Sequence, residues 1–454
     1  MSNDNFCCVI GLDIGTTSIS AAVVDIDKKT VSKSYTVPYN HKINSLDSDF
    51  SESDADKIYN TAKELLDKAL AESSGVRSIG MTGQMHGIVY VDDCGNAVSP
   101  LINWQDKRGD KLCDDSVTYC HKITSITGEP IYTGYGFSTV YYDSVNNLIP
   151  QTAVSFCSIM DYVAMKLTAR NAPLVHSSVA NSFGLFDLAS SSFKTEAVSK
   201  LSLNIPQLPA TTDGYDICGH YSEVPVSVAI GDNQASFLGS VKNIDSDVLV
   251  NIGTGSQISA VTDSLSCDKD TEIRPLVKGK FIKCGSSLCG GSAYALLEKF
   301  FRGYTVAASL GGGSQYDVLN AIAVEAYNNG KTPLNVKTLF NGKRSDPFVT
   351  GSVTGITSEN FTPGNLALGF IHGICNELYE YFIADLVGKN RVVASGNAIQ
   401  KMPVFRKVIG DMFSLPVAVS AVSEEASVGT ALFSAVSAGI LNDVYNFSDF
   451  INYN

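Results

Sequence analysis

Residues 13–25 read DIGTTSISAAVVD, and residues 251–263 read NIGTGSQISAVTD. Aligned without gaps, the two stretches are identical at seven of thirteen positions. Each follows an apolar run and continues into an alternating stretch rich in Ala, Val and Ile, which is typical of a β-hairpin with a tight Gly-Thr turn. A chain of 454 residues is too long for one ordinary core. One hairpin opening each half therefore predicts two similarly folded lobes.

The two hairpin turns are candidate phosphate loops. A Gly turn exposes successive N–H groups that can bind phosphate oxygens, and Thr and Ser hydroxyls add further donors. With one loop from each lobe, the repeat predicts that a triphosphate lies in the cleft between the lobes. The alternative is two unrelated hairpins that share common turn residues. The candidate residues are Gly15, Thr16 and Thr17 in the first loop, and Gly253, Thr254 and Gly255 in the second.

The two copies differ at their first position, where Asp13 aligns with Asn251. Only the first loop keeps a carboxylate, as expected if a single Mg²⁺ is held, through water, on one side of the nucleotide. The alternative is that Asp13 only caps its turn.

Hydrophobic periodicity predicts an α/β fold. The repeat places the domain boundary near residue 240, which gives an N-terminal domain over 1–240 and a C-terminal domain over 241–454. Helices are predicted at 54–74, 292–302, 364–388 and 424–439, and strands at 78–81 and 391–394.

Composition narrows the class of protein. The formal net charge is −13, which disfavours nucleic acid and anionic membrane surfaces as partners. No uninterrupted apolar stretch reaches the length that spans a membrane. The eleven cysteines are an odd number and include no CxxC pair, so a reducing cytoplasm is the expected location.

Asp232 is the candidate general base. Apolar Val226, Val228 and Ile230 precede it, and a run of small residues follows. A strand that delivers one aspartate at its carboxyl end, just before a helix, is a common location for catalytic groups in α/β folds. Such a carboxylate can take the proton from a hydroxyl as the hydroxyl attacks. The alternative is that Asp232 only caps the helix.

Two polar stretches are candidates for a sugar pocket, since a polyol needs donors, acceptors and an aromatic face in a preformed site. His86 could instead be a hydrogen-bonded structural residue, and Trp104, the only tryptophan, could be part of the core. The stretches are Gln84-Met85-His86-Gly87 and Trp104-Gln105-Asp106.

These motifs together resemble the FGGY family of carbohydrate kinases, members of the actin, hexokinase and heat-shock-chaperone ATPase superfamily. The resemblance runs through nearly the whole chain in the family order, and the ordered set is highly specific. It implies two actin-like, ribonuclease H-like lobes with an interlobe ATP cleft. The matching stretches are GLDIGTTS (11–18), MTGQMHG (81–87), NWQDKR (103–108), GDNQAS (231–236), NIGTGSQ (251–257) and SGNA (395–398).

The resemblance implies roles for individual residues. Asp232 matches the catalytic base, and Asp13 and Asp232 match residues that hold Mg²⁺. Sugar contacts are implied for Met85, His86, Trp104, Gln105, Asp106 and Asn233. Nucleotide contacts are implied for Gly15, Thr16, Thr17, Gly253, Thr254, Gly255, Gly290, Gly291, Gly396 and Asn397.

Within the family the chain is most similar to the sedoheptulokinase subgroup, which implies transfer from ATP to the terminal primary hydroxyl of a ketose. A pentulose kinase acting on xylulose or ribulose is the alternative. An ATP-binding protein without transfer, such as an actin-like filament protein or a chaperone, is the rival from another class. A homodimer is left open. The chain departs from the family where Phe137-Ser138 is not followed by the usual lysine and tryptophan, and at the turn Ala394–Ala398.

Overall fold

The computed structural model describes residues 6–114, 116–343, 345–346, 348–422 and 424–454. The chain forms two compact units. Of the described residues, the first unit contains those within 1–242, 274–280 and 422–451, and the second contains those within 243–273, 281–421 and 452–454. The first division, after Lys242, lies beside the position that the repeat indicated. The sequence assigned 274–280 and 422–451 to the second domain, whereas the structure packs both into the first.

Most strands are short, and the two long hairpins stand out among them. The strands are β1 (Cys8–Ile14), β2 (Ser18–Asp25), β3 (Thr30–Pro38), β4 (Lys42–Ile43), β5 (Glu52–Ser53), β6 (Val76–Gly83), β7 (Val89–Val91), β8 (Leu101–Ile102), β9 (Leu112–Asp114), β10 (Val117–Thr118), β11 (Ser155–Cys157), β12 (Leu174–His176), β13 (Phe186–Asp187), β14 (Ser192–Phe193), β15 (Ala210–Thr212), β16 (Ile217–Tyr221), β17 (Val224–Ser227), β18 (Ile230–Gly231), β19 (Asp247–Ile252), β20 (Ser256–Thr262), β21 (Thr271–Val277), β22 (Lys280–Ser287), β23 (Asn335–Lys337), β24 (Ser352–Thr354), β25 (Arg391–Ser395) and β26 (Val417–Val419).

The helices include all four that the periodicity predicted, at α1, α8, α10 and α13. No helix in the described part of the chain is long and apolar enough to cross a membrane. The α-helices are α1 (Ala55–Ala71), α2 (Tyr119–Thr127), α3 (Gly136–Val145), α4 (Ile159–Leu167), α5 (Ser177–Ala180), α6 (Thr195–Lys200), α7 (Asp232–Ser240), α8 (Gly291–Ala307), α9 (Tyr316–Asn328), α10 (Pro363–Phe382), α11 (Asn397–Lys401), α12 (Val404–Phe413) and α13 (Glu425–Ser437), with 3₁₀ turns at Arg108–Asp110, Asn181–Phe183 and Val444–Asp449.

A seven-stranded sheet forms the centre of the first unit, in the order β16-β17-β6-β1-β2-β3, with β18 also beside β6. The first predicted hairpin is confirmed, because β1 and β2 pair antiparallel. Strand β6 runs parallel to β1 on its other side, and β18 runs parallel to β6. The carboxyl ends of β1, β6 and β18 therefore meet at one edge of the sheet, which is where α/β folds place their ligands.

Helix α13 packs against this sheet at very short range. A Cβ on Gly11 would lie 1.9 Å from the carbonyl oxygen of Ser427, and one on Gly80 would lie 2.0 Å from that of Thr430. Strands β1 and β6 therefore need glycine where the helix crosses them. This close packing brings the acidic start of α13, at Glu424, to the first unit.

The second unit repeats the arrangement around the second hairpin. Strands β19 and β20 pair antiparallel, and β25 runs parallel to β19 on the other side. Its main sheet contains, in order, β22, β20, β19, β25 and β26. The second predicted hairpin and the predicted strand at 391–394 are both confirmed. Each unit has its own buried hydrophobic cluster.

Candidate active site

Three chain segments bring the predicted chemistry of the first unit to one sheet edge. Asp13 is the next-to-last residue of β1 and stands opposite Thr82 of β6. Gly231 at the end of β18 pairs with Gly83 at the end of β6. A Cβ on Gly231 would lie 2.7 Å from the sulfur of Met85. The predicted metal aspartate, the sugar loop and the predicted base are thus neighbours, although Asp13 and Asp232 lie more than 200 positions apart in the sequence.

Asp232 is the first residue of α7 and follows directly on the short strand β18. Its Oδ1 accepts a hydrogen bond of 2.6 Å from the backbone N–H of Asn233. Burial raises the pKa of the Asp232 carboxyl, while the positive charge of Arg274 acts in the opposite direction. A carboxylate with a raised pKa is a stronger proton acceptor than an exposed aspartate.

Asp13 has an electrostatic environment suited to a cation. Burial, together with the negative charges of Asp232 and Glu424, raises its pKa to about 7. A divalent cation would offset the repulsion among these carboxylates. The three do not form a group with ligand atoms within 4.8 Å of one another. The described residues contain such a group only at Asp92, Asp93 and Cys94, on a turn.

Side chains of Tyr39 and Gln84 stabilise the first phosphate loop by hydrogen bonds. The carbonyl oxygen of Gly15 accepts hydrogen bonds from the hydroxyl of Tyr39, at 2.5 Å, and from Nε2 of Gln84, at 3.3 Å. Gly15 N–H also donates to the carbonyl oxygen of Ser18, which closes the turn. Gln84 is buried, and its Oε1 has no hydrogen-bond partner. The loop is therefore fixed by side chains that come from outside the hairpin.

Trp104 links the sugar candidates to this loop. Its indole Nε1–H donates to Oγ1 of Thr16 at 3.1 Å, and its side chain is 44% exposed. Trp104 is therefore not a core residue, which removes the alternative left open by the sequence. Gln105, beside it, is also exposed. Both have the accessibility that a ligand contact requires.

His86 has an unusual backbone conformation, with φ at +72°, which a non-glycine residue adopts only when its surroundings hold it there. Its Nδ1–H donates to the carbonyl oxygen of Ser182 at 2.8 Å, which fixes the ring orientation and the tautomer. The ring stacks on Tyr135, with centroids 4.5 Å apart. A constrained, partly exposed histidine is thus presented beside an aromatic face.

Asp106 has a different role from the predicted sugar contact. It is only 1% exposed, and both its oxygens are already bound. Oδ2 accepts from the backbone N–H of Ser51 and from Nη2 of Arg108, while Oδ1 accepts from N–H and Nε–H of Arg108. With four hydrogen bonds and almost no accessible surface, Asp106 stabilises the loop that carries Trp104. We therefore do not retain it as a sugar ligand.

In the second unit, Gly290 and Gly291 support the second phosphate loop. The N–H groups of Gly290 and Gly291 donate to the carbonyl oxygens of Thr254 and Gly253, at 3.0 and 2.8 Å. A Cβ on Gly290 would lie 2.2 Å from the carbonyl oxygen of Gly255. The start of α8 therefore donates to the loop, and its glycines permit that close approach.

Gly396 and Asn397 lie beside the same loop. The carboxyl ends of β19 and β25 pair at Asn251 and Ser395, whose side chains share a 2.8 Å hydrogen bond. Gly396 has φ of +95°, and a Cβ there would lie 2.5 Å from the carbonyl oxygen of Ile252. All the predicted nucleotide residues of this unit thus gather at one sheet edge.

Several residues at these sites escaped the sequence reasoning. Glu424 lies at the start of a helix that was predicted, but its proximity to Asp13 depends on how α13 packs. Tyr39 and Ser182 act through contacts with distant segments, for which a single sequence carries no local signal. Gln84 was within a quoted motif as a candidate for the sugar pocket, and its hydrogen bond to the carbonyl oxygen of Gly15 is seen only in the structure.

Residues 8–239 match the family model described as "FGGY family of carbohydrate kinases, N-terminal domain". A sedoheptulokinase from Mus musculus is 25% identical over 453 residues, which cover 90% of this chain and 93% of that protein.

Solved structures share the fold over nearly the whole chain. A gluconate kinase from Lactobacillus acidophilus superposes with a TM-score of 0.83 at 17% identity, covering 99% of this chain and 93% of that one. A glycerol kinase from Plasmodium falciparum, solved with ADP, gives a TM-score of 0.78 at 18% identity, with coverage of 98% and 92%. The two-lobe, actin-like α/β fold expected from the sequence is therefore confirmed.

Proposed function

Because this chain belongs to the FGGY family of carbohydrate kinases, we propose that it transfers the terminal phosphate of ATP to the terminal primary hydroxyl of a ketose, with sedoheptulose as the substrate and sedoheptulose 7-phosphate as the product. Asp232 is the general base in this proposal. A pentulose kinase acting on xylulose or ribulose is the second candidate.

One observation carries the proposal: the parallel strands β1, β6 and β18 end at one edge, where Asp13, Met85 and Asp232 meet. Phosphoryl transfer to an alcohol requires little covalent chemistry, so positioning and charge stabilisation dominate. A base beside a polar pocket, with a phosphate loop on the adjoining strand, supplies that positioning. An ATPase that has no sugar acceptor would have no need of the constrained His86 or of the exposed Trp104.

The proton of the attacking hydroxyl passes to a carboxylate oxygen of Asp232 in this mechanism. The raised pKa of this buried group favours the transfer. General-base help of this kind is worth about 10²- to 10⁴-fold in rate. Met85, His86, Trp104, Gln105 and Asn233 orient the sugar so that one hydroxyl faces Asp232.

The phosphates are bound by N–H groups and hydroxyls of the two loops, with Gly396 and Asn397 contacting the rest of the nucleotide. Asp13 and Asp232, with Glu424 near Asp13, form an acidic environment that fits Mg²⁺. When bound, the ion neutralises charge on the phosphate oxygens. The loop residues are Gly15, Thr16, Thr17, Gly253, Thr254 and Gly255, with Gly290 and Gly291 beneath the second loop.

The proposal is tested by replacing the base. Asp232→Asn keeps the size of the side chain and removes the proton acceptor, so kcat with ATP and sedoheptulose should fall by about 10²-fold or more. Asp56→Asn is the matched control, since Asp56 also lies in the first turn of a helix. Turnover by Asp232→Asn close to that of the native chain would remove Asp232 from its role.

The substrate is identified by a kinetic panel. Sedoheptulose, xylulose, ribulose, gluconate and glycerol are compared by kcat/KM at one ATP concentration. Sedoheptulose should give the highest value, while a higher value for xylulose or ribulose favours the pentulose alternative. ATP hydrolysis that no sugar stimulates would favour the filament or chaperone class.

A further inference from the structure

A short buried segment, His176–Phe183, contacts both halves of the proposed sugar site. It contains the last residue of β12, all of α5 and the 3₁₀ turn at Asn181–Phe183. No motif in the sequence points to it. Two serines four positions apart, Ser178 and Ser182, each accept a hydrogen bond from a backbone N–H of a site loop.

Ser178 holds the turn that carries the base. Its Oγ accepts from the N–H of Gly231, the residue before Asp232, at 3.1 Å. The hydroxyl proton of Ser178 is then available to Nδ1 of His176, which lies 2.8 Å away. His176 and Ser178 are both fully buried, so bulk water does not compete for either contact in the native chain.

His176 determines the direction of the hydrogen bond between its ring and Ser178. Burial lowers the pKa of His176 to about 4, so the ring is neutral and Nδ1 can accept a hydrogen bond. Nδ1 also accepts from the N–H of Ser178, at 3.2 Å. With Nδ1 as the acceptor, the Ser178 hydroxyl donates towards His176 and accepts from Gly231.

Ser182 holds the sugar loop in the same manner. Its Oγ accepts from the N–H of His86 at 3.0 Å and donates to the carbonyl oxygen of Val179 at 2.7 Å. Its carbonyl oxygen accepts from Nδ1–H of His86. Two hydrogen bonds that His86 donates to Ser182 thus hold His86 in its left-handed backbone conformation.

We propose that Ser178 and Ser182 are positioning residues for the transfer reaction, Ser178 for Asp232 and Ser182 for His86. This inference rests on the proposed function. The two serines act on different parts of the reaction, because Asp232 acts on the hydroxyl during attack, whereas His86 contacts the sugar already in the ground state. Their substitutions should therefore have different kinetic signatures.

The test compares Ser178→Ala and Ser182→Ala in the full chain with ATP and sedoheptulose. For Ser178→Ala, we expect kcat to fall about 10-fold or more with little change in the KM for the sugar. For Ser182→Ala, we expect the KM for the sugar to rise about 10-fold with kcat nearly unchanged. Ser155→Ala is the control, because Ser155 is also buried but its hydroxyl has no hydrogen-bond partner.

Two substitutions at His176 provide a second test, in which Ser178 itself is unchanged. His176→Asn retains an acceptor where Nδ1 lies, whereas His176→Leu has none, so kcat should be higher in His176→Asn. Equal kcat in the two, or a parallel loss of kcat and sugar affinity in both serine variants, would overturn the assignment and indicate a general packing role.

Crystal structures of the serine variants test the assignment without relying on activity. The Gly231–Asp232 turn should be displaced in Ser178→Ala, and the His86 loop in Ser182→Ala. Unmoved loops overturn the positioning role even if no sugar in the panel is phosphorylated. A native chain that phosphorylates none of them instead counts against the proposed function.

Discussion

Replacing Arg108 with methionine should destabilise the first unit more than any surface change. The guanidinium is 3% exposed and contacts three acidic side chains. Nε lies 2.8 Å from Asp106, Nη1 lies 2.6 Å from Asp143, and Nη2 lies 2.8 Å from Glu52. The ring of Phe50 lies 4.5 Å from Cζ and adds a cation–π contact.

The magnitude follows from what Arg108→Met leaves behind. Asp106 and Asp143 would remain almost fully buried without their counter-charge. Removing one partner of a buried ion pair costs about 3–5 kcal/mol, whereas an exposed pair contributes about 0–1 kcal/mol. We expect a loss of about 4 kcal/mol in the free energy of unfolding, or roughly 10 °C in Tm for a unit of this size.

Denaturant unfolding followed by the emission of Trp104 measures this loss, because Trp104 is the only tryptophan and lies two residues from Asp106. Arg77→Met is the control, since Arg77 is exposed in the same unit. A loss below about 1 kcal/mol, equal to that of the control, would refute the reasoning.

The pH dependence of the Arg108→Met variant provides a second check. Burial raises the pKa of Asp143, and Arg108 opposes this shift. Without the guanidinium the folded pKa rises further above the unfolded value, so the folded state holds a proton that the unfolded state has released. The stability of the variant should therefore fall as the pH rises from about 4 through the folded pKa of Asp143. A stability deficit independent of pH would contradict this assignment.

Three further outcomes are expected. Gly396→Ala should lower stability and weaken ATP binding, measured by thermal shift with and without nucleotide, because its φ of +95° and the 2.5 Å approach to the carbonyl oxygen of Ile252 exclude a side chain; unchanged ATP affinity would contradict it. Thr16→Val should alter the emission of Trp104 in the free protein, since it removes the acceptor of the indole N–H; an identical spectrum would show that the bond is absent in solution. Burial lowers the pKa of His176 to about 4, below its unfolded value of about 6.5. The native chain should therefore lose stability as the pH falls from about 6.5 to about 4, and His176→Asn should lose less stability over that range in urea titrations. An equal loss of stability in the two proteins would contradict this expectation.

Local sequence patterns were sufficient to predict those helices and strands that are determined by their own residues. The two hairpins and the helices at α1 and α10 follow from periodicity and turn residues within one short window. The positions of Asp13 and Asp232 at strand ends were also predictable, because each follows directly on an apolar run. The gathering of glycine turns around the second hairpin was implied only by the resemblance to a family.

The burial of Asp106 and its hydrogen bonding to Arg108 could not be predicted in this way. Its partner Arg108 lies two residues away, but Glu52 and Asp143, which complete the cluster around that guanidinium, lie 56 and 35 positions from Arg108. From the sequence alone, an Asp two positions after a Trp is a candidate ligand, because its buried partners are not known. The packing of α13 in the first unit was equally unpredictable. It depends on a contact between distant parts of the chain, where glycines in β1 and β6 leave room for the helix.

The sequence by itself determined the elements and the order of the chemical groups along the chain, because strand pairing within a hairpin and helix periodicity are set by neighbours. Only the tertiary structure decided which polar groups are accessible. Burial and hydrogen-bond saturation depend on residues that meet from distant parts of the chain. That difference separates exposed Trp104 from buried Asp106, two residues along the same loop.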